Sequence, residues 1–167
     1  MKKHIKIVPH RRKREGDTDY RRRLKLLKSE KLRLVVRKYN RNTIAQLVEY
    51  HEGGDKVLAT VSTRALLKYN WKHSRSNIPA AYLLGLLLAK KANEKNCKEA
   101  ILDLGLHTST KGSRLYAVLK GAVDGGLKIP HDKEILPNNE RLTGMHTKNK
   151  EEISKSVSQI REKIMKG

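Results

Sequence analysis

The sequence predicts an α/β domain with a mixed sheet and helices on its faces, on three observations. Between residues 32 and 61 apolar residues recur with period two and are broken by turn residues, the pattern of three antiparallel strands. Residues 80–94 are apolar nearly all the way round until Lys90, as a buried helix requires. A short apolar run at 100–104 and a further amphipathic helix then complete the order β-β-β-α-β-α, which demands a crossover and therefore a mixed sheet. A chain of 167 residues, 37% hydrophobic, suits one such domain with extensions.

Residues 1–16 read as a basic N-terminal extension. Met1 to Pro9 alternates Lys with aliphatic residues without a stable period, and Arg11, Arg12, Lys13 and Arg14 form a like-charge block with nothing to bury. Such a segment is expected to order on a partner that neutralises it. Beyond Gly16, Asp17 is placed to cap a helix and Asp19 to sit in its positive first turn. Tyr20, Leu24 and Leu27 at i, i+4 and i+7 give that helix one narrow apolar stripe. Arg21, Arg22, Arg23, Lys25 and Lys28 occupy the other faces, and a phosphate backbone is their complement.

In the first strand Leu32, Leu34 and Val36 point one way and Arg33, Val35, Arg37 and Tyr39 the other, giving one basic face. Asn40 to Asn42 supply a turn, Thr43 to Tyr50 returns, and Lys56 to Val61 follows the turn Glu52 to Asp55. Arg33, Arg37, Lys38, Arg41 and Tyr39 lie on or near one edge, where they either contact phosphates or form an ordinary wet face. Ser62 to Tyr69 reads as a short helix, and residues 70–77 as a polar loop with the only Trp of the chain. Trp71 is expected to pin that loop to the core, with Lys72 and Arg75 the better ligands for an anion.

Asn77 as a cap and Pro79 near the start introduce the buried helix Ala80 to Glu94. Ala81, Gly85 and Ala89 recur every four residues, so one face admits a close neighbour. Gly85 lowers helix propensity by about 1 kcal/mol relative to Ala, which implies a packing reason. Ala100 to Leu104 reads as a strand covered on both sides. The loop Gly105 to Arg114 carries four hydroxyls (Thr108, Ser109, Thr110 and Ser113), His107, Lys111 and Arg114, and no carboxylate. It opens a helix with Leu115, Val118, Leu119, Ala122 and Val123 on one face, where free amides and the helix dipole favour an anion. The order Lys111-Gly112-Ser113 is not the Gly-Lys-Ser/Thr of a nucleotide loop, so an RNA phosphate is the expected ligand, with an unliganded capping loop as the alternative. Gly125 and Gly126 end the helix and Leu127 closes it. From Pro137 the tail is expected to be helical in two pieces, with Asn149 and Glu152 as a capping pair. Its stripe of Ile153, Val157, Ile160 and Ile164 docks on the body or on a partner.

Thirty-eight Lys and Arg against 17 Asp and Glu give a net charge of +21, and residues 1–41 alone hold 17 basic and 4 acidic residues. A field so concentrated favours nucleic acid or an anionic surface. The run Ile78 to Ala89 is too short to span a bilayer, and no signal-peptide pattern opens the chain. The lone Cys97 excludes an internal disulfide and fits a reducing compartment. No His or Cys spacing suggests a metal, and no cofactor is expected. Asp17, Asp19, Asp103 and Asp124 are scattered among basic residues instead of converging, which argues against metal-dependent hydrolysis. No nucleophile signature is present either, so the chain does not read as an enzyme. A sequence-tolerant DNA- or RNA-packaging protein is the alternative to a specific RNA binder.

The stretches RRKREGDTDYRRRLKLLKSEKLRLVVRKYNRNTIAQLVEY, NIPAAYLLGLLLAKKA and EAILDLGLHTSTKGSRLYAVLKGAVDGGLKIPH resemble the large-subunit ribosomal protein "L eighteen" family in its archaeal and eukaryotic form. The resemblance covers residues 10 to 146, and the length suits an archaeal-type member. It implies a three-layer α/β/α domain with a mixed sheet, related to ribonuclease H-like architecture. It also implies binding of 5S rRNA, attachment of that RNA to the large-subunit rRNA in the central protuberance, contacts with neighbouring ribosomal proteins, and no catalysis. The expected location is the cytoplasmic large ribosomal subunit. Matched onto this chain, the RNA-facing regions are Arg11 to Arg14, Tyr20 to Arg23 and His107 to Arg114. The expected layout is a basic extension at 1–16, an RNA-binding domain at 17–136 and a helical C-terminal extension at 137–167.

Overall fold

The computed structural model describes residues 8–166; most of the alternating Met1 to Pro9 segment lies outside them. Strands β1 (Arg33–Lys38), β2 (Thr43–Glu49), β3 (Lys56–Ser62) and β4 (Ile101–Asp103) form one mixed sheet in the order β3-β2-β1-β4. β1–β2 and β2–β3 are antiparallel, and β4 lies parallel to β1 with Arg33 opposite Ile101. Helices stand on both sides of the sheet, a three-layer α/β/α arrangement. The order of elements follows the hydrophobic periods of the sequence. One placement differs from expectation: β4 is an edge strand, and Ile101 and Leu102 are only partly buried.

Leu34, Val36, Ala45, Leu47, Ala59 and Val61 form the buried face of the sheet. Against it pack α3 (Ile78–Glu94) and α4 (Arg114–Asp124). Asn77 caps α3 by accepting from the Ala80 N–H at 2.9 Å, and Pro79 occupies the first turn, where its missing N–H costs nothing. α4 closes with Gly126 at φ +102°. The Leu127 N–H reaches the Ala122 carbonyl and the Gly126 N–H reaches Val123, the paired bonds of a Schellman end.

The glycines explain how α3 and α4 come so close. A Cβ on Gly85 would lie 2.2 Å from the Val118 carbonyl oxygen, and one on Gly121 would lie 2.1 Å from the Tyr82 carbonyl oxygen. Gly125 faces Ala89 in the same way, so the small residues spaced by four on each helix form one seam. At its end the Tyr82 hydroxyl donates to Asp124 at 3.0 Å. Burial first, then the neighbouring Asp124 carboxylate, pushes the Tyr82 phenol up to about 12.

The tail folds back. α5 (Asn139–Thr143) and α6 (Lys150–Lys166) pack on α3, with Ile153, Val157, Ile160 and Ile164 buried. The body is therefore the surface this stripe docks on. Trp71 is 2% exposed and its indole N–H donates to the Ser74 carbonyl at 3.1 Å, so it pins the 70–77 loop. Thr63–Tyr69, expected as a short helix, is a 3-10 segment ending at Asn70 in the left-handed region.

Gly85→Ala and Gly121→Ala are each expected to destabilise the fold by about 3 kcal/mol, because the added carbon meets backbone that cannot swing away. Gly53→Ala, with nothing within 4 Å, is expected to stay within about 0.5 kcal/mol. Denaturant midpoints of the three variants measure this directly.

Candidate nucleic-acid interface

The second face of the sheet carries Arg33, Val35 and Arg37 from β1 and Gln46 and Val48 from β2, all facing a cleft that is closed on its far side by α2 (Tyr20–Leu27). α2 begins at Asp19, not Asp17: the Asp19 carboxylate accepts from the backbone N–H groups of Arg21 and Arg22 at 3.0 and 3.1 Å. No residue of α2 is fully buried. The expected stripe of Tyr20, Leu24 and Leu27 is corrected: Leu24 is 57% exposed, while Tyr20, Arg23, Leu26 and Leu27 are partly buried. Charge rotates the helix, because Arg23 reaches Asp55 in the β2–β3 turn at 2.8 Å and Arg22 donates to the Gly105 carbonyl at 3.0 Å.

Arg33 is likewise corrected from a phosphate ligand to a structural ion. Its side chain is 3% exposed and lies between Asp103 at 3.2 Å and Asp55 at 2.7 Å. The Asp55 contact is an ion pair without good hydrogen-bond alignment, and Arg33 Nε has no partner among the described residues. β1 therefore has no wet basic face at this position. Arg37 is divided between roles: its guanidinium donates to the Val36 and Asp103 carbonyls and pairs with Asp103, yet about a third of the side chain stays exposed. The Gly105 N–H is a third donor to the Asp103 carboxylate, at 2.8 Å. Asp103 thus accepts from three donors, two of them cationic, as a buried carboxylate requires.

Asp55 is pulled both ways. Burial raises its pKa, and the Arg33 and Arg23 guanidiniums beside it more than offset this and hold the carboxyl below its ordinary 3.8.

The 105–114 loop joins the same end of the sheet. His107 Nε2 accepts the Lys38 backbone N–H at 3.2 Å, which requires that nitrogen to be unprotonated. Burial, then the charges of Lys38, Arg37 and Arg114, depress the His107 pKa below 6.5. His107 Nε2 is thus a clasp between loop and strand. Arg114 donates to the Tyr39 carbonyl at 3.3 Å, joining the helix to the β1–β2 turn, whose Arg41 is exposed. Thr108, Thr110 and Lys111 are exposed. Lys111 meets Glu134 at 3.2 Å, an exposed pair worth little, so the loop does have a carboxylate neighbour. Ser113 Oγ is buried without a partner among the described residues and is not presented to a ligand, a further correction.

Arg11–Arg14 form one helical turn, α1, with every residue exposed, where the sequence predicts an arm that orders on a partner. His10 and Tyr20 rings lie 5.3 Å apart and connect this turn to α2. Arg21 and Lys25 are exposed on α2. The β1–β2 turn and the 105–114 loop thus meet at one end of the sheet, where Arg22 ties α2 to the loop, and α2 runs from there across the second face to Asp55 in the β2–β3 turn. Lys72, exposed, and Arg75, partly buried, sit in the 70–77 loop, and no hydrogen bond among the described residues links them to this group. One cation was missed: Arg141 of α5 lies beside Gly112, within 3.8 Å of where a Cβ would be. Only the fold-back of the tail brings it there, and no local spacing signals it.

Among the described residues no group of three or more His, Cys, Asp or Glu side chains is placed to hold a metal ion, and no helix is long and apolar enough to cross a membrane. A family model described as ribosomal large subunit proteins 60S L5 and 50S L18 matches residues 6–100 and 91–132.

Asp55→Asn is expected to lose about 1 kcal/mol at neutral pH, the scale of a partly exposed, doubly paired carboxylate. Because the folded pKa lies below 3.8, this contribution is full above that value and fades as pH falls through the folded pKa. Denaturant midpoints of the two proteins should therefore differ at pH 7 and converge in acid; an undiminished gap in acid would contradict the assignment.

Proposed function

The chain belongs to this family of large-subunit ribosomal proteins, and from that premise we propose that it binds 5S rRNA and helps attach it to the large rRNA in the central protuberance, as an archaeal-type member. The family implies a large-subunit ribosomal protein with rRNA and ribosomal proteins as partners, and a structural role fits it. The observation that supports the 5S reading best is the gathering of separate basic segments at one end and across the second face of a rigid sheet, in a chain of net charge +21.

In this reading the work divides by position. Arg11, Arg12, Lys13 and Arg14, with Arg21 and Lys25, neutralise phosphates and supply affinity. Tyr20 offers a ring to an unpaired base, and Lys38, Arg41, Thr108, Thr110, Lys111 and Arg114 contact the backbone from the body. Lys72 and Arg75 form an outlying contact. Arg22, Arg23 and Arg37 contribute chiefly by setting α2 on the sheet, and His107 by holding the loop. Residues 17–136 then act as the RNA-binding body, 1–16 as a charged extension and 137–167 as an extension folded against it. Recognition rests on loops and backbone shape, since the deep major groove of an RNA helix excludes most side chains.

Titration of 5S rRNA against equal masses of tRNA and duplex DNA, over a range of salt, tests the proposal. 5S rRNA is expected to win by orders of magnitude. Replacing Arg11, Arg12, Lys13 and Arg14 by Gln is expected to lower the salt slope by up to about 3 while preserving the preference. Equal competition by all three polyanions would reduce the function to charge alone, as in a packaging protein.

A further inference from the structure

We propose that the cleft beneath α2 seats one unstacked nucleotide of the bound RNA. The cleft measures about 1060 Å³, at the upper end of the roughly 300–1,000 Å³ typical of small-molecule sites. It lies across the second face of the sheet, from Asp55 and Val57 beside the start of β1 to Gly105 and His107 beyond the end of β4.

Its chemistry has two halves. The floor is apolar, built by Val35, Val48 and Val57 of three adjacent strands, and Val57 is 49% exposed although it belongs to a sheet. An α2 of eight residues is too short to cover that face. Tyr20 lines the cleft from the helix side and provides an aromatic plane, the usual partner of an unstacked base. Gln46 also lines it; its Nε2 donates to Thr60 Oγ1 at 3.2 Å, which leaves the amide oxygen as an acceptor for a base edge.

The walls are charged. Six Arg and Lys side chains line the cleft against four carboxylates, a net +2. Three of the four carboxylates are already occupied, with Asp19 capping α2 and Asp55 and Asp103 held by arginines, which leaves Asp17 as the one without a side-chain partner among the described residues; Arg37 remains a third exposed and Lys25 has no partner among the described residues. An apolar floor with an aromatic wall and a cationic rim matches a base together with its phosphate. An acidic peptide would leave the floor unused, and a lipid chain would leave the rim unmatched.

This inference rests on the RNA-binding reading, and its test separates the two. In the full-length protein, methyl resonances of Val35 and Val48 are followed on adding 5′-adenosine monophosphate, a hairpin RNA with one bulged base, and the same hairpin fully paired, all at equal ionic strength. Both methyls are expected to shift with the mononucleotide and the bulged hairpin and to stay in place with the paired one. Val57→Trp, at an exposed position that leaves the core intact, should fill the cleft and abolish these shifts. It should weaken the bulged hairpin about tenfold, the loss of one stacked base, without changing the salt slope. Gln46→Leu should lower the discrimination between adenosine and uridine monophosphates. Unmoved methyls with RNA still bound would overturn the cleft alone; absence of RNA binding would overturn the reading beneath it as well.

Discussion

Asp103 and Asp55 are the points on which the functional end of this molecule depends. Between them they collect Arg33 and Arg37 from β1, Arg23 from α2 and the Gly105 amide from the loop after β4. Three segments, β1, α2 and the loop after β4, are held by two carboxylates. An ion network of this kind is weak evidence for net stability, since an apolar replacement can do as well, but removing the buried Asp103 strands the Arg33 charge at a cost of about 3–5 kcal/mol, against about 1 kcal/mol for the more exposed Asp55. Its effect is to make a single placement of α2 and the loop cheap and every other placement expensive.

The rest of the fold serves that end from behind. α3 and α4 meet through glycine and alanine at backbone distance, so they present a rigid platform to the sheet and the strand ends cannot drift. The charge of the chain is then sorted by depth. Arginines that reach inward are spent on carboxylates and carbonyls and set geometry, whereas among those described on α1 and the outer side of α2 only Arg11 has a carboxylate partner, the exposed Glu15 at 3.2 Å, and these are left for phosphate. An excess of +21 would otherwise be a liability through self-repulsion, and a polyanionic partner turns it into binding energy.

How much of this could be read from the sequence depended on whether the cause was local. α3, α4 and α6 were legible because periodicity is a property of neighbours along the chain. Gly85 announces a close contact because glycine in an apolar helix needs a reason, and Trp71 reads as a pin because a lone indole in a polar loop usually is one. Arg33, by contrast, looked like a surface cation on an alternating strand, and its burial is decided by Asp103, 70 residues away. The rotation of α2 is decided by Asp55, 32 residues from Arg23. The role of His107 turns on a backbone amide 69 residues earlier, which no spacing rule anticipates. Sequence patterns identified which residues are charged; the fold determined which of those charges are free.

Amide hydrogen exchange of the full chain with and without 5S rRNA tests the central claim most directly, since it reads every segment at once. The account predicts new protection concentrated in residues 10–27, 38–43 and 105–114, with α6 unchanged. Protection confined to α6 and the outer side of α3, with none at the N-terminal helices or the 105–114 loop, would place the RNA on the opposite side of the molecule and contradict it.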